Sequence, residues 1–279
     1  MLHHCCRLCR RHHHGSIKWH QWIDGSWAIL FSHPADFTPV CTTEIGRMSL
    51  KYQYLADRGV KVAALSCNEL GEHQAWLDDV VAHCENKVTV DFPIIADPTR
   101  EIAVAYGMID PELKDADGLP LTCRSVFIVG PDKKLKLSLN YPASVGRNMD
   151  EIVRVVDALL LSAEKSVATP ANWPNNHADQ GMKGWVFLLP TVTKEDASAY
   201  FPEHKTCEVP SGKGEATHLQ LCLVPCDWTN TAMHAECAAF HRYRCNHAGW
   251  AIAKWYRRLC PTLLCKFTLT RHRNGRFKA

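Results

Sequence analysis

Between Ser26 and Ala163, short apolar runs alternate with stretches whose apolar residues recur every three or four positions, and few architectures accommodate that alternation. Residues 26–32 (SWAILFS) and Val60–Ser66 (VKVAALS) are continuous apolar runs, which predicts strands buried on both faces. Between them Ile45, Met48, Tyr52 and Leu55 fall on one side of a 3.6-residue period, so 41–58 reads as an amphipathic helix closed by Gly59. Trp76, Leu77, Val80, Val81 and Cys84 mark a second helix, Phe92–Ala96 a short strand, and 99–107 a helix ended by Gly107. Arg124–Val129 and Lys134–Asn140 flank Gly130-Pro131-Asp132-Lys133, a run of turn residues, and so form a hairpin. Ile152, Val156, Leu159, Leu160 and Ala163 give a third long helix. The expected class is α/β: a central mixed sheet with helices on both faces and one antiparallel hairpin.

Domain organisation follows from where this pattern stops. Residues 15–166 form the main domain; Pro170, Trp173 and Pro174 mark a linker, and 167–213 is a small C-terminal segment. Residues 1–14, almost only His, Cys and Arg, show no period, and 214–279 are rich in Cys, Trp, His and Arg without a recognisable plan. Both ends read as foreign to the body or as solvated tails. The net charge of +3 conceals the same division: residues 1–15 carry +3, residues 237–279 carry +10, and the stretch between carries −10. An acidic body argues against a nucleic-acid-binding core. No apolar run reaches the 18 residues of a spanning helix. The 14 cysteines fall in three unevenly spaced groups, unlike a small disulfide scaffold, and the middle of the chain reads as reduced and intracellular.

The stretch with chemical content is Ser32-His33-Pro34-Ala35-Asp36-Phe37-Thr38-Pro39-Val40-Cys41-Thr42-Thr43-Glu44. It sets a cysteine where a strand has ended and a helix begins, and the unpaired amides and positive dipole end of a helix start favour a thiolate. Thr38 can turn its hydroxyl toward the sulfur or a bound oxygen, and Pro34 and Pro39 stiffen the loop. An arginine from elsewhere would complete a site for a small polar oxidant, and Arg124 opens a predicted strand. Taken alone, Cys41 could equally be an inert buried cysteine, His33 a packed loop histidine and Glu44 a first-turn carboxylate.

The whole string resembles the peroxidatic signature of the peroxiredoxins, Pro34-x-x-x-Thr38-x-x-Cys41, and its surroundings resemble the 1-Cys, peroxiredoxin 6-like subfamily. The likeness runs from about Gly15 to Lys213. It takes in Phe92-Pro93-Ile94-Ile95, Gly130 to Lys136, Tyr141-Pro142, Gly146-Arg147-Asn148, Val167-Ala168-Thr169-Pro170 and Leu189-Pro190-Thr191. The resemblance implies a thioredoxin-like fold, a homodimer, and a thiol peroxidase of the cytoplasm acting on hydrogen peroxide and organic or lipid hydroperoxides without metal or haem. It implies Cys41 as the peroxidatic residue, Thr38 and Arg124 as its hydrogen-bonding partners, Pro34 as a shield, and His33, Glu44 and Arg147 as supporting residues. Where two-cysteine relatives carry a second cysteine, residues 167–173 have none, so an external thiol such as glutathione or thioredoxin is the expected reductant. Cys67, Cys84 and Cys123 then read as small buried hydrophobes, with Cys207 a weak candidate for a resolving thiol.

Three departures accompany the likeness. The segment that pairs into the sheet ahead of Gly15 in this family is replaced by the His/Cys/Arg stretch, whose loss as a strand would expose sheet edge. Some relatives carry a phospholipase Ser, His and Asp, matching Ser26, His20 and Asp132. Here the serine sits in Asp24-Gly25-Ser26-Trp27-Ala28, without the small flanks of a nucleophile elbow, so this activity is not expected. A rival reading gives an impaired homologue a tail with another purpose. Cys222, Cys226, His234, Cys237, His241 and Cys245 would then bind zinc, or Trp250, Lys254, Trp255, Tyr256, Arg257 and Arg258 an anionic surface. Cys6-x-x-Cys9 is an equally weak metal or redox pair.

Overall fold

The computed structural model describes residues 5–10, 13–176, 183–189, 191–193, 196–198, 204–208 and 215–219, with side chains from residue 15 to 198. Its strands are β1 (Cys5–Arg10), β2 (His13–Lys18), β3 (Trp27–Ser32), β4 (Val60–Ser66), β5 (Ile94–Ala96), β6 (Ile109–Lys114), β7 (Pro120–Thr122), β8 (Arg124–Val129), β9 (Leu135–Tyr141), β10 (Val167–Ala168), β11 (Val186–Leu188), β12 (His204–Glu208) and β13 (Glu215–Leu219). The helices are α1 (Trp19–Trp22), α2 (Pro39–Asp57), α3 (Leu70–His83), α4 (Glu101–Ala105) and α5 (Met149–Lys165).

A seven-stranded mixed sheet, in the order β2-β1-β5-β4-β3-β8-β9, forms the centre. The apolar strands β3, β4 and β5 run parallel, as expected of strands covered on both faces. Period-two alternation then divides their side chains between two cores. Ile29, Phe31, Val62, Ala64, Ile94, Val126 and Ile128 meet the apolar faces of α2, α3 and α5. Ala28, Leu30, Ala63, Leu65, Ile95 and Val129 meet Trp19 and Ile23, Ile102 and Ala103, and Met108. Phe31 and Phe92, both without exposed surface, pack at 5.8 Å between ring centroids. Burial of each contributes about 1.5–3 kcal/mol. Asn148 caps α5 by accepting from the Asp150 and Glu151 amides, and Ser166 ends it in a left-handed conformation. The sheet with helices on both faces is the thioredoxin-like arrangement that the resemblance implies.

Two parts differ from the sequence reading. The His/Cys/Arg stretch is not lost to the sheet: β1 pairs antiparallel with β5 through Leu8↔Ile95 and Cys9↔Ile94, and with β2 along its whole length. Residues 14 and 15, on either side of the expected boundary, lie within one strand. Main-chain groups make a ladder whatever the side chains, so an aperiodic composition hid it. Likewise, 167–219 contribute a four-stranded antiparallel sheet, β10-β11-β13-β12, whose two- to five-residue strands are too short to show a period. The proposed zinc ligands from Cys222 to Cys245 and the basic aromatic tail lie outside the described residues, as do the side chains of Cys6, Cys9 and Cys207.

Candidate active site

The site is assembled where β3 ends. The Ser32 hydroxyl donates to the Cys123 carbonyl at 2.6 Å and the His33 amide to the Leu65 carbonyl at 3.0 Å, which fixes the exit of the strand between its two neighbours. The Thr122 hydroxyl donates to the His33 carbonyl at 2.7 Å. Pro34 is buried, and Phe37 takes a left-handed φ of 57° as the chain turns into α2. Thr38 is the extended residue before the helix, Pro39 occupies its first turn, and the Thr42 amide is bonded back to the Thr38 carbonyl at 3.0 Å. Cys41 therefore lies among the amides that have no acceptor within the helix, and its side chain is fully buried.

From β8, across the sheet, Arg124 brings Nη1 to 3.4 Å from Cys41 Sγ and 2.8 Å from Glu44 Oε2. Its Nε and Nη2 both donate to the Ala143 carbonyl, at 2.9 and 2.7 Å, so the guanidinium is held in one plane. Glu44, one turn beyond Cys41, is also held by Arg147. Its Oε1 accepts from the Arg147 amide (2.7 Å) and Nε (2.9 Å), and Oε2 from Nη2 (2.6 Å). Arg147 Nη1 donates to the Ser125 carbonyl, and its guanidinium lies 5.1 Å from the centre of the Phe31 ring. Burial works to raise the Glu44 carboxyl, but the hydrogen bonds and charge of Arg147, with Arg124 behind, hold it below its ordinary value. Two guanidinium groups against one carboxylate leave the pocket with one excess positive charge, the complement of a negative charge on sulfur or a peroxide oxygen.

Cys41, Arg124, Glu44 and Arg147 thus converge. Thr38 and Pro34 lie in the same loop, but the Thr38 hydroxyl donates to the Ala35 carbonyl at 2.8 Å and not to the sulfur. His33 engages a second cluster through one of its ring nitrogens. Its Nε2 lies 2.8 Å from Asp36 Oδ1, while His73 Nδ1 of α3 lies 2.5 Å from Asp36 Oδ2, with all three side chains fully buried. Asp36 and His73 were missed by sequence reasoning. The signal was a histidine on the buried face of an amphipathic helix, beside Trp76 and Leu77.

That cluster sets a pH dependence. Burial holds the His33 imidazole below its ordinary value of 6.5 against the pull of Asp36. Burial also works to raise the Asp36 carboxyl, but the hydrogen bonds from His33 and His73 outweigh it and bring it to about 2. Below 6.5 the unfolded chain binds a proton at His33 that the folded chain refuses, so stability falls with pH by up to about 1.4 kcal/mol per pH unit. The contribution of Asp36 is present above its ordinary 3.8 and is lost as pH falls toward about 2. The urea midpoint is expected to drop between about pH 7.5 and about pH 5.5, and His33→Asn to lose most of that slope. An equal slope in the variant contradicts the assignment.

The residues matching the phospholipase set lie elsewhere. Ser26 donates to the Asp24 carbonyl of its own turn at 3.5 Å, and His20 lies half-buried in the four-residue α1. Asp132 is bound by Lys136 Nζ at 2.7 Å and by the Lys134 amide at 3.2 Å. An ion pair of 2.6 Å between Lys133 and Asp24 joins the two turns. The Ser26 and Asp132 side chains are thus engaged within their own turns. Ser26→Ala is expected to leave peroxide reduction unchanged, as peroxide consumption would register.

Cys67, Cys84 and Cys123 are free, as is Cys41. Burial raises the Cys67 thiol to about 11. The Cys123 sulfur sits in a buried polar pocket, 3.0 Å from the Met108 carbonyl and 2.9 Å from Asn140 Oδ1. Cys84 packs so closely on Gly46 that a Cβ there would lie 2.5 Å from its sulfur. Among the described residues no three His, Cys, Asp or Glu side chains are grouped to hold a metal ion.

The AhpC/TSA family model matches residues 8–138. Over 202 residues the chain is 50% identical to peroxiredoxin-6 of Sus scrofa and to that of Gallus gallus, covering 71% of this chain and 87% of each relative. It matches the crystal structure of a cysteine-to-serine mutant of peroxiredoxin 6 from Arenicola marina with a TM-score of 0.67 and 48% identity, over 74% of this chain and 90% of that one. The chain belongs to the 1-Cys peroxiredoxins. A yeast mitochondrial 1-Cys peroxiredoxin matches with a TM-score of 0.60 and 33% identity, over 78% of this chain and 98% of its own. This peroxiredoxin is accordingly a thiol-dependent peroxidase with the thioredoxin-like fold of its relatives.

Proposed function

We propose that Cys41 is the peroxidatic residue and that Arg124, Thr38, Glu44 and Arg147 build the pocket in which it reacts. The observation that carries this is the Arg124 guanidinium, planted on the Ala143 carbonyl and aimed at the Cys41 sulfur at 3.4 Å. The thiolate attacks one peroxide oxygen along the O–O axis. An S–O bond forms, the O–O bond breaks, and the second oxygen departs with the electron pair, taking a proton to leave as water or an alcohol. Sulfur is oxidised by two electrons to the sulfenic acid. Arg124 stabilises the charge that builds on the oxygens. The Thr38 hydroxyl, its proton directed to Ala35, offers lone pairs to the hydroperoxide proton and so orients the substrate. Pro34 screens the sulfenic acid from one side, and Glu44 holds both arginines in place.

Reduction then needs an external thiol. One thiol attacks the sulfenic sulfur, giving a mixed disulfide and water, and a second releases Cys41 as the thiol. Burial of Cys67 and Cys123 supports an external donor over a resolving cysteine from the described body. The related yeast protein is described as resolved via glutathione/thioredoxin systems. Glutathione or a thioredoxin is the reductant we propose, with hydrogen peroxide and organic or lipid hydroperoxides as substrates and a homodimer as the working unit. The four free cysteines among the described residues fit a reducing compartment such as the cytoplasm. No described helix is long and apolar enough to cross a membrane. Peroxide-dependent oxidation of the full chain, followed by reduction with glutathione alone and with thioredoxin and its reductase, tests the scheme. Turnover with neither donor overturns this choice of reductant.

A further inference from the structure

Two side chains of α3, one turn apart, reach the segment on either side of Cys41. His73 Nδ1 lies 2.5 Å from Asp36 Oδ2, and Trp76 Nε1 donates to the Thr42 hydroxyl at 3.0 Å. That hydroxyl donates in turn to the Thr38 carbonyl at 2.9 Å. Because a carboxylate only accepts, both imidazoles present a proton to Asp36. The other nitrogens, His33 Nδ1 and His73 Nε2, are buried without a hydrogen-bond partner, so Asp36 is the polar hold on each ring. The end of the loop and the first turn of α2 are thereby fastened to α3, at Asp36 and at Thr42, and Thr38 and Cys41 lie between the two fastenings. Phe37, with its left-handed φ, lies in the same stretch and needs such restraint.

We propose that His73 and Trp76, with Asp36, are positioning residues of the peroxidase reaction: they set the place of the Thr38 hydroxyl relative to the Cys41 sulfur and Arg124. The inference rests on Cys41 as the peroxidatic residue. Peroxide attack needs sulfur, Thr38 and Arg124 in register, whereas alkylation by a small neutral reagent needs only an accessible sulfur nucleophile. Loosening the fastening therefore separates the two rates, which general damage to the fold does not.

The test compares the full chain with Trp76→Phe, His73→Leu and His73→Asn, whose amide keeps a donor at the Nδ1 position. Single-turnover oxidation by hydrogen peroxide and alkylation of Cys41 by iodoacetamide are followed in parallel, with a thermal melt of each variant. Trp76→Phe and His73→Leu are expected to lose about 10- to 100-fold in the peroxide rate while alkylation stays within about twofold, and His73→Asn to recover most of the loss. If His73→Leu does not fold, Trp76→Phe and His73→Asn decide. A peroxide rate unchanged in folded Trp76→Phe, or peroxide and alkylation rates that fall together, overturns the proposal. Failure of Cys41 to react with peroxide in the unaltered chain instead overturns the reading on which it rests.

Discussion

Replacing Cys41 by serine is expected to reduce peroxide turnover to the uncatalysed background, a fall of at least about 10^4-fold. The side chain that disappears is the only sulfur bonded to the Arg124 guanidinium among the described residues. A serine hydroxyl is a far weaker nucleophile and offers no sulfur to oxidise. Serine has nearly the volume of cysteine, and Cys41 packs with Ile45 and Met48 on the buried face of α2, so the fold is expected to persist. The check is a coupled peroxidase assay beside a thermal melt. An active variant would move the chemistry to another cysteine, and the free thiols of Cys67, Cys84 and Cys123 would be the first to examine.

Replacing Arg124 by alanine is expected to lower the second-order rate constant for hydrogen peroxide by about 10^2- to 10^3-fold, the scale set by loss of one aimed donor at a developing oxyanion. The change removes the positive group 3.4 Å from the sulfur and leaves the Ala143 carbonyl without its two donors. Glu44 keeps Arg147, so the pocket is loosened without leaving the carboxylate unpaired. Arg124→Lys is expected to recover only part of the rate. An ammonium can approach the sulfur or Glu44, but it cannot reproduce a planar group that bonds Ala143 through two nitrogens and faces the site with a third. Stopped-flow oxidation at several peroxide concentrations separates the variants, and an unchanged rate constant for Arg124→Ala would remove it from the site.

The middle of the central sheet was legible because β3, β4 and β8 are apolar on both faces: Val60–Ser66 and Arg124–Val129 carry their ends in their own composition. The short pieces were not. β6 and β7 form a hairpin with a register shift between Asp110 and Lys114, and no alternation survives that irregularity. β1 owes its place to main-chain pairing with β5, which composition does not encode. For the site, the spacing from Pro34 to Glu44 puts cysteine, threonine and carboxylate at one helix start, so these were readable. Arg124 and Arg147 could be placed beside them only through the family likeness, since 83 residues separate Arg124 from Cys41 and the sheet joins them. The Asp36–His73 pair was unreadable for the same reason: a buried histidine on α3 declares a polar partner without naming it.

The most direct test of Cys41 as the reacting sulfur is intact mass after one equivalent of hydrogen peroxide in the presence of a sulfenic-acid trap, with peptide mapping of the adduct. The full chain and Cys41→Ser are treated alike. Rapid addition of a single adduct at Cys41, absent from the variant, is the expected result. Slow labelling spread over several cysteines, or an adduct that persists in Cys41→Ser, would contradict it.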